Sequence, residues 1–373
     1  MKSILPKFLW AGIIVHFSYT DILKMRLINN HFTDYVDEDK WRQLFFSRKS
    51  LIAIVKADMD NSWKHAVSTF SGCDSIDIMV NIIKYEMMDK SSTMIKIFFA
   101  TGVYEIIRDY TLDFHWFDQC NVELIGCNDV SISPYINVSN TLKIINAHCV
   151  TINNIIFKGI YLTLAMKQCN SPRSVRLTNC IFDNYSYIYN DYTDMIVSNC
   201  KLGHGTMYIQ SVNITITDSI FDLVNVYLDS TKSVIISNCV LTDTILNVFG
   251  KGQSGSICNI SNSTIGNGSA LIHVDRKSID IILQSNNISN MSNIVYFTAQ
   301  AADINIKIDT NTIKNILFCT NAALGSLLNN ILVNYVNNSY SNCVSVHDGV
   351  CPIIQTSHNA CIDCDPNFIK QMQ

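Results

Sequence analysis

Eight copies of one eight-residue phrase, spread between Val150 and Ile313, constrain this chain more than any other feature. The phrase reads apolar, any, apolar, any, short polar, small or apolar, any, apolar. Its copies are Val150–Phe157, Val175–Phe182, Met195–Leu202, Ile214–Phe221, Val234–Leu241, Cys258–Ile265, Ile281–Ile288 and Ile306–Ile313. Their last positions are 25, 20, 19, 20, 24, 23 and 25 residues apart, the period of a solenoid. Alternation within each copy has period two, so each contains a strand with one buried face. Val, Ile and Thr dominate, and their stiff branched side chains suit strands better than helices. The fifth position holds Asn154, Asn179, Asn199, Asp218, Asn238, Asn262, Ser285 and Thr310. Most are short polar residues that tolerate left-handed backbone, which predicts a corner there.

A strand, an Asn corner and a second strand once per period describe an all-β solenoid, a right-handed parallel β-helix, whose opening coil at Ile95–Ile106, Asn121–Gly126 and Val130–Ile132 resembles that of pectin-lyase-like β-helices. The corner side chains of Asn154, Asn179, Asn199, Asp218, Asn238 and Asn262 are expected to bond along a ladder. Ile, Leu, Val and Phe would fill the bore. Each coil buries its apolar positions only against its neighbours, so both ends need caps. The segment Ile95–Ile106, followed by Asn121–Gly126 and Val130–Ile132, reads as an opening coil with Gly at its turns. The β-helix is therefore expected over 94–342, with a Cys-rich C-terminal segment over 343–373. Residues 51–93 form a connecting or capping segment, in which the amphipathic stretches Trp63–Val67 and Ile76–Tyr85 would plug the first coil.

Composition narrows the function. The chain has 373 residues, 48% hydrophobic and 16% charged, with a formal charge of −4. That charge shows no basic stripe, which argues against a nucleic-acid partner. So apolar a composition leaves surface to be covered by an oligomer interface. Loop tyrosines such as Tyr185, Tyr187 and Tyr189 are expected to take part, and a homotrimer with parallel coil axes follows. There are fourteen Cys, of which Cys180, Cys200 and Cys239 recur in the small slot of the phrase, so they read as stacked free thiols. The basic, apolar start lacks a small-residue cleavage site, and no apolar run has the length of a membrane span. An intracellular, reducing setting is expected, with no membrane partner.

Little chemistry is legible. Cys361 and Cys364 have metal-ligand spacing, and Cys351 with His358 could complete a tetrahedral zinc set. The preferred reading is a Cys-rich terminal coil, so no metal or other cofactor is assigned. Gly203-His204-Gly205 resembles a motif of polygalacturonases, but the adjacent Asp pair and the Arg-Ile-Lys element that hold acid, base and substrate are missing. His204 is expected to be a turn residue, and the chain is not expected to be an enzyme.

Residues 5–47 carry three helix starts, at Pro6, at Thr20 and Asp21, and at Asp37–Asp39. With Leu5, Pro6, Asp21, Leu23, Leu27, Phe32 and Trp41 in place, residues 1–50 resemble the F-box, a small α-helical module. That resemblance implies docking on the Skp adaptor of a cullin ubiquitin ligase through Leu5, Pro6, Ile22, Leu23, Leu27 and Trp41. Gly12 departs from the pattern by weakening the first helix.

The coils around Val150–Gly159 and Ser174–Phe182, with Asn121–Gly126 upstream, are similar to two viral proteins. One is the adenoviral large early-region transforming protein, and the other is its structural relative from the left genome end of atadenoviruses. The likeness spans about residues 60 to 365. It implies a trimeric knob on the virion exterior that binds hexon or other capsid proteins and is assembled in the host nucleus. The competing implication is an F-box substrate receptor whose β-helix captures host targets.

Overall fold

The computed structural model describes residues 51–57, 66–71 and, apart from short segments between strands, 94–372. Residues 1–50, with the F-box-like positions Leu5, Pro6, Ile22, Leu23, Leu27 and Trp41, lie outside the described residues, as do Cys351 and the stretch Ile76–Tyr85.

From Met94 onward the chain is a parallel β-helix with three strands per coil, stacked into three sheets. The phrase read from the sequence is in register from coil to coil. Its first position forms the first-sheet column Val150, Val175, Met195, Ile214, Val234, Cys258, Ile281 and Ile306. Its last position forms the second-sheet column Phe157, Phe182, Leu202, Phe221, Leu241, Ile265, Ile288 and Ile313. Both columns are buried and fill the bore. Phe157 and Phe182 stack with centroids 5.0 Å apart. Each fully buried Ile, Leu or Phe removes enough apolar surface from water to stabilise by about 1.5 to 3 kcal/mol, and stacking in register buries all of them without one long-range loop.

Every fifth-position residue is left-handed, with φ between 51° and 58° from Asn154 through Asn179, Asn199, Asp218, Asn238, Asn262 and Ser285 to Thr310. The corner is therefore where the sequence placed it. The expected corner ladder forms in part. Asn199 donates to Asn179, and Asn238 donates to Asp218 at 3.2 Å, but both bonds lie on the exposed surface. Asn154 donates to the Gly126 carbonyl at 3.0 Å, and Asn179 donates to Asn153.

The buried ladder stands one residue further on. There the small slot of the phrase holds Cys180, Cys200, Ser219, Cys239 and Ser263, and in the last coils Asn286, Asn311, Asn338 and Asn359. The thiols are free and buried, and they donate to carbonyls of their own turn at 3.2 to 3.4 Å. The Cys180 thiol beneath it, and then burial, drive the Cys200 thiol far above its ordinary range. In the Asn part, each backbone N–H donates to the side-chain oxygen of the next coil: Asn286 to Asn311 at 2.8 Å, Asn311 to Asn338 at 2.9 Å, Asn338 to Asn359 at 3.0 Å. Each amide nitrogen also donates to a carbonyl of the preceding coil, such as Asn311 to Leu283 at 2.9 Å. An inward corner strands backbone polar groups away from water, and this column satisfies them.

Two further differences concern the ends. Within the segment expected to plug the first coil, Leu51–Ala57 (β1) and Ala66–Ser71 (β2) are strands. β1 pairs antiparallel with β2 and with Met94–Phe99 (β3), so the N-terminal edge is covered by sheet hydrogen bonds. At the other end the coils do not stop at 342. Ser345–Asp348, Ile353–Ser357 and Ala360–Ile362 continue the sheets, and the helix Pro366–Met372 (α1) closes the bore with Phe368, 5.0 Å from Tyr340.

Candidate functional site: a tyrosine face on the third sheet

The third strand of each coil was not legible in the repeat phrase, and it carries the most distinctive surface. In-register parallel strands bring residues at the same coil position face to face, so an outward residue recurring once per coil becomes a column. Tyr189, Tyr208 and Tyr227 recur at this spacing and pair as Tyr189↔Tyr208 and Tyr208↔Tyr227. Thr163 precedes them, and Asn247, His273 and Tyr296 follow in the same column. A second column runs beside it through Tyr161, Tyr187, Thr206 and Asn225. Tyr187 and Tyr189 therefore sit on a strand, Tyr187–Asn190, and not in a variable loop as expected. Tyr185 occupies the left-handed corner before it, 77% exposed, with its ring 6.0 Å from His204.

Ring geometry defines what this face offers. Tyr189 and Tyr208 are 5.6 Å apart with planes 6° from parallel, and Tyr208 and Tyr227 are 6.2 Å apart at 31°. The Tyr189 and Tyr208 rings are thus stacked, and Tyr227 is tilted against Tyr208. Tyr161 meets Tyr187 edge to face at 5.5 Å, and His273 meets Tyr296 at 5.3 Å. The four tyrosines Tyr187, Tyr189, Tyr208 and Tyr227 are each half-buried. Partial burial, then the neighbouring rings, raises the Tyr187 hydroxyl above its usual pKa. At Tyr189 burial is again the main cause, followed by the Asp191 carboxylate. Burial also lowers the His273 imidazole.

The same central coils expose apolar residues on the second sheet, Ile220 (44%) and Val240 (39%), with Leu223 (46%) at the corner between the two sheets. In these coils the chain passes from third to first sheet with little or no connection. Three residues separate Asn190 from Asp194, and the strands Lys201–Thr217 and Ile220–Ser237 run on into the next coil unbroken.

Other sequence candidates are not brought together. His204 is a corner residue with φ 48°, as its Gly-flanked position suggested. Of the zinc candidates among the described residues, His358 occupies the first corner of its coil with φ 55°. Cys361 lies on the second-sheet strand Ala360–Ile362, and Cys364 follows the second corner at Asp363. Among the described residues no three His, Cys, Asp or Glu side chains form a group that could hold a metal ion. Nor is any described helix long and apolar enough to cross a membrane.

The tyrosine face had a readable signal that the phrase hid. Tyr189, Tyr208 and Tyr227 are equally spaced in sequence, but they fall in the intervals between copies, where residue type otherwise varies.

No protein-family model matches the chain, and no curated protein matches it. Among solved structures it is similar to the A-module of the Azotobacter vinelandii mannuronan C-5 epimerase AlgE6, with 11% identity and a TM-score of 0.45, covering 77% of this chain and 94% of that one. It is also similar to tailspike protein 3 of bacteriophage CBA120, with 10% identity and a TM-score of 0.45, covering 91% and 68%. A third is the catalytic domain of a GH87 alpha-1,3-glucanase, with 13% identity and a TM-score of 0.36, covering 78% and 68%. At these identities the likeness is one of fold.

Proposed function

We propose that the chain is a non-enzymatic structural protein that works by packing side by side with copies of itself through the third sheet, as a homotrimer. The observation that carries this reading is the half-buried tyrosine face. Half-buried tyrosines stacked from coil to coil suit a protein interface, where aromatic side chains supply contact area at low entropic cost. A three-fold assembly needs two different surfaces on each copy, because its contacts are heterologous. The same coils supply them, tyrosines on the third sheet and Ile220 with Val240 on the second. The resemblance described above extends the proposal to a knob on a virion exterior, bound to hexon or another capsid protein.

Sedimentation equilibrium of the full chain at micromolar concentration tests the assembly. Trimers are expected, and the triple variant Tyr189→Ser, Tyr208→Ser, Tyr227→Ser should shift the population towards monomer while keeping its β-sheet circular dichroism. A wild-type chain that stays monomeric would overturn the reading.

A second reading rests on Leu5, Pro6 and the rest of the F-box-like pattern: a substrate receptor of a cullin ligase with the β-helix as its capture surface. Pull-down of the Skp adaptor by the wild-type chain, lost in Leu5→Ala/Pro6→Ala, together with absence from purified particles, would favour it. Detection in particles without adaptor binding favours the structural role.

A further inference from the structure

The C-terminal end of the bore gathers thiols that the proposed assembly does not use. The last coil turns at Asp363, whose φ of 52° is left-handed. The positions on either side of that corner, Cys361 and Cys364, correspond to Tyr340 and Cys343 one coil earlier and to Ile313 and Ile316 before that. Those inner positions are all buried, so the corner aims both thiols of the last coil inward. Burial and then the neighbouring Cys364 thiol raise the Cys361 pKa, and Cys364 is also among the groups that raise Cys343 in the coil beneath. Among the described residues these thiols belong to no group of three that could hold a metal ion.

Access separates the three. Cys343 and Cys364 are buried, whereas Cys361 is only half-buried on the terminal strand Ala360–Ile362, which no further coil covers. The corner leads straight into α1. Asp365 follows Cys364, its carboxylate accepts the Asn367 N–H at 2.8 Å, and its carbonyl accepts the Ile369 N–H at 3.1 Å. α1 in turn plugs the bore with Phe368 and accepts the Val346 N–H at 3.2 Å through Gln371.

We propose that Cys361 and Cys364 are a redox-closing pair that fixes the turn feeding the terminal cap. In the step, the Cys361 thiolate attacks a low-molecular-weight disulfide such as oxidised glutathione. One glutathione leaves as thiolate, and a mixed disulfide forms on Cys361. The Cys364 thiolate then attacks the Cys361 sulfur, and the second glutathione leaves. Two protein thiols are oxidised to one disulfide, and one glutathione disulfide is reduced to two glutathione thiols, with the two thiol protons passing to the leaving thiolates. Burial and the Cys364 thiol hold the Cys361 pKa above its ordinary value, so closure accelerates as pH rises.

The test uses the full chain, incubated with oxidised glutathione, alkylated under denaturing conditions and mapped by peptide mass. A Cys361–Cys364 disulfide is expected in the wild type and in Cys343→Ser, and none in Cys361→Ser. Hydrogen exchange of α1 should slow severalfold on oxidation in the wild type and stay unchanged in Cys361→Ser. Two results would overturn the proposal. One is the absence of this disulfide at a large excess of oxidised glutathione, with reduced Cys361 and Cys364 both recovered. The other is a Cys343–Cys364 disulfide that forms equally well in Cys361→Ser.

Discussion

Replacing Asn311 by Leu separates the buried ladder from the exposed one. Asn311 is 1% exposed, and its side chain ties three coils together. Its oxygen accepts the Asn286 backbone N–H at 2.8 Å and the Asn286 amide at 3.0 Å. Its nitrogen donates to Leu283 at 2.9 Å, to Asp309 at 3.0 Å and to Asn338 at 3.1 Å. Leu has nearly the same volume, so little cavity is created, and the cost comes from stranded partners. Asn286 keeps its bond to the Ile260 carbonyl at 2.9 Å, and Asn338 still accepts the Asn311 backbone N–H. The Asn286 N–H and the Leu283 carbonyl lose the bonds that Asn311 made with them. At about 1 to 3 kcal/mol for each buried group left unpaired, the expected destabilisation is about 2 to 6 kcal/mol. Asn199→Leu serves as the control. Its amide is exposed, so the change strands nothing buried, and the remaining cost is left-handed backbone strain of about 1 to 2 kcal/mol. Leu223 already occupies a left-handed corner with φ 55°, which shows that the fold accepts that conformation in Leu. Urea unfolding followed by circular dichroism, with hydrogen exchange in coils 279–341, reads both. Equal losses in the two variants, or no loss in Asn311→Leu, would refute the assignment of the structural ladder to the inner column.

Three other outcomes follow from the geometry. Gly126→Ala should abolish folding of the early coils, because the added Cβ would run into the Asn154 carbonyl oxygen, a backbone atom that cannot step aside; soluble yield and melting temperature check it. Arg173→Met should cost about 1 to 3 kcal/mol, since the buried guanidinium donates to the Asn146 carbonyl at 2.7 Å and the Ala147 carbonyl at 3.3 Å; a melt indistinguishable from wild type would contradict this. Stability should also fall at both pH extremes. Burial raises Cys120, Cys258 and Cys343 to about 12 from an ordinary 9.0, so above pH 9 the unfolded chain loses protons that the folded chain keeps, and stability declines between pH 9 and 12. Burial lowers His273 from 6.5, so below pH 6.5 the unfolded chain binds a proton that the folded one resists; urea midpoints across pH 5 to 11 should show both slopes.

The sequence by itself determined the coil. Period-two alternation fixed which residues face the bore, and short polar residues at the fifth position fixed a left-handed corner, because both depend on local backbone preference and side-chain polarity. That is why the columns from Val150 to Ile306 and from Phe157 to Ile313 came out in register. Only the tertiary structure decided which side of the corner is buried. Asn199 and Asn311 are neighbouring positions of one phrase, and whether an amide meets water or another coil depends on the direction of the turn, which polarity does not encode. The third sheet was hidden for a related reason. Outside the phrase the coil length varies from 19 to 25 residues, so the alignment of Tyr189, Tyr208 and Tyr227 exists only once neighbouring strands pair. The ends followed neither pattern. β1 and β2 cap the first coil with antiparallel strands, and α1 caps the last, because each end lacks the neighbour whose repetition makes the interior readable.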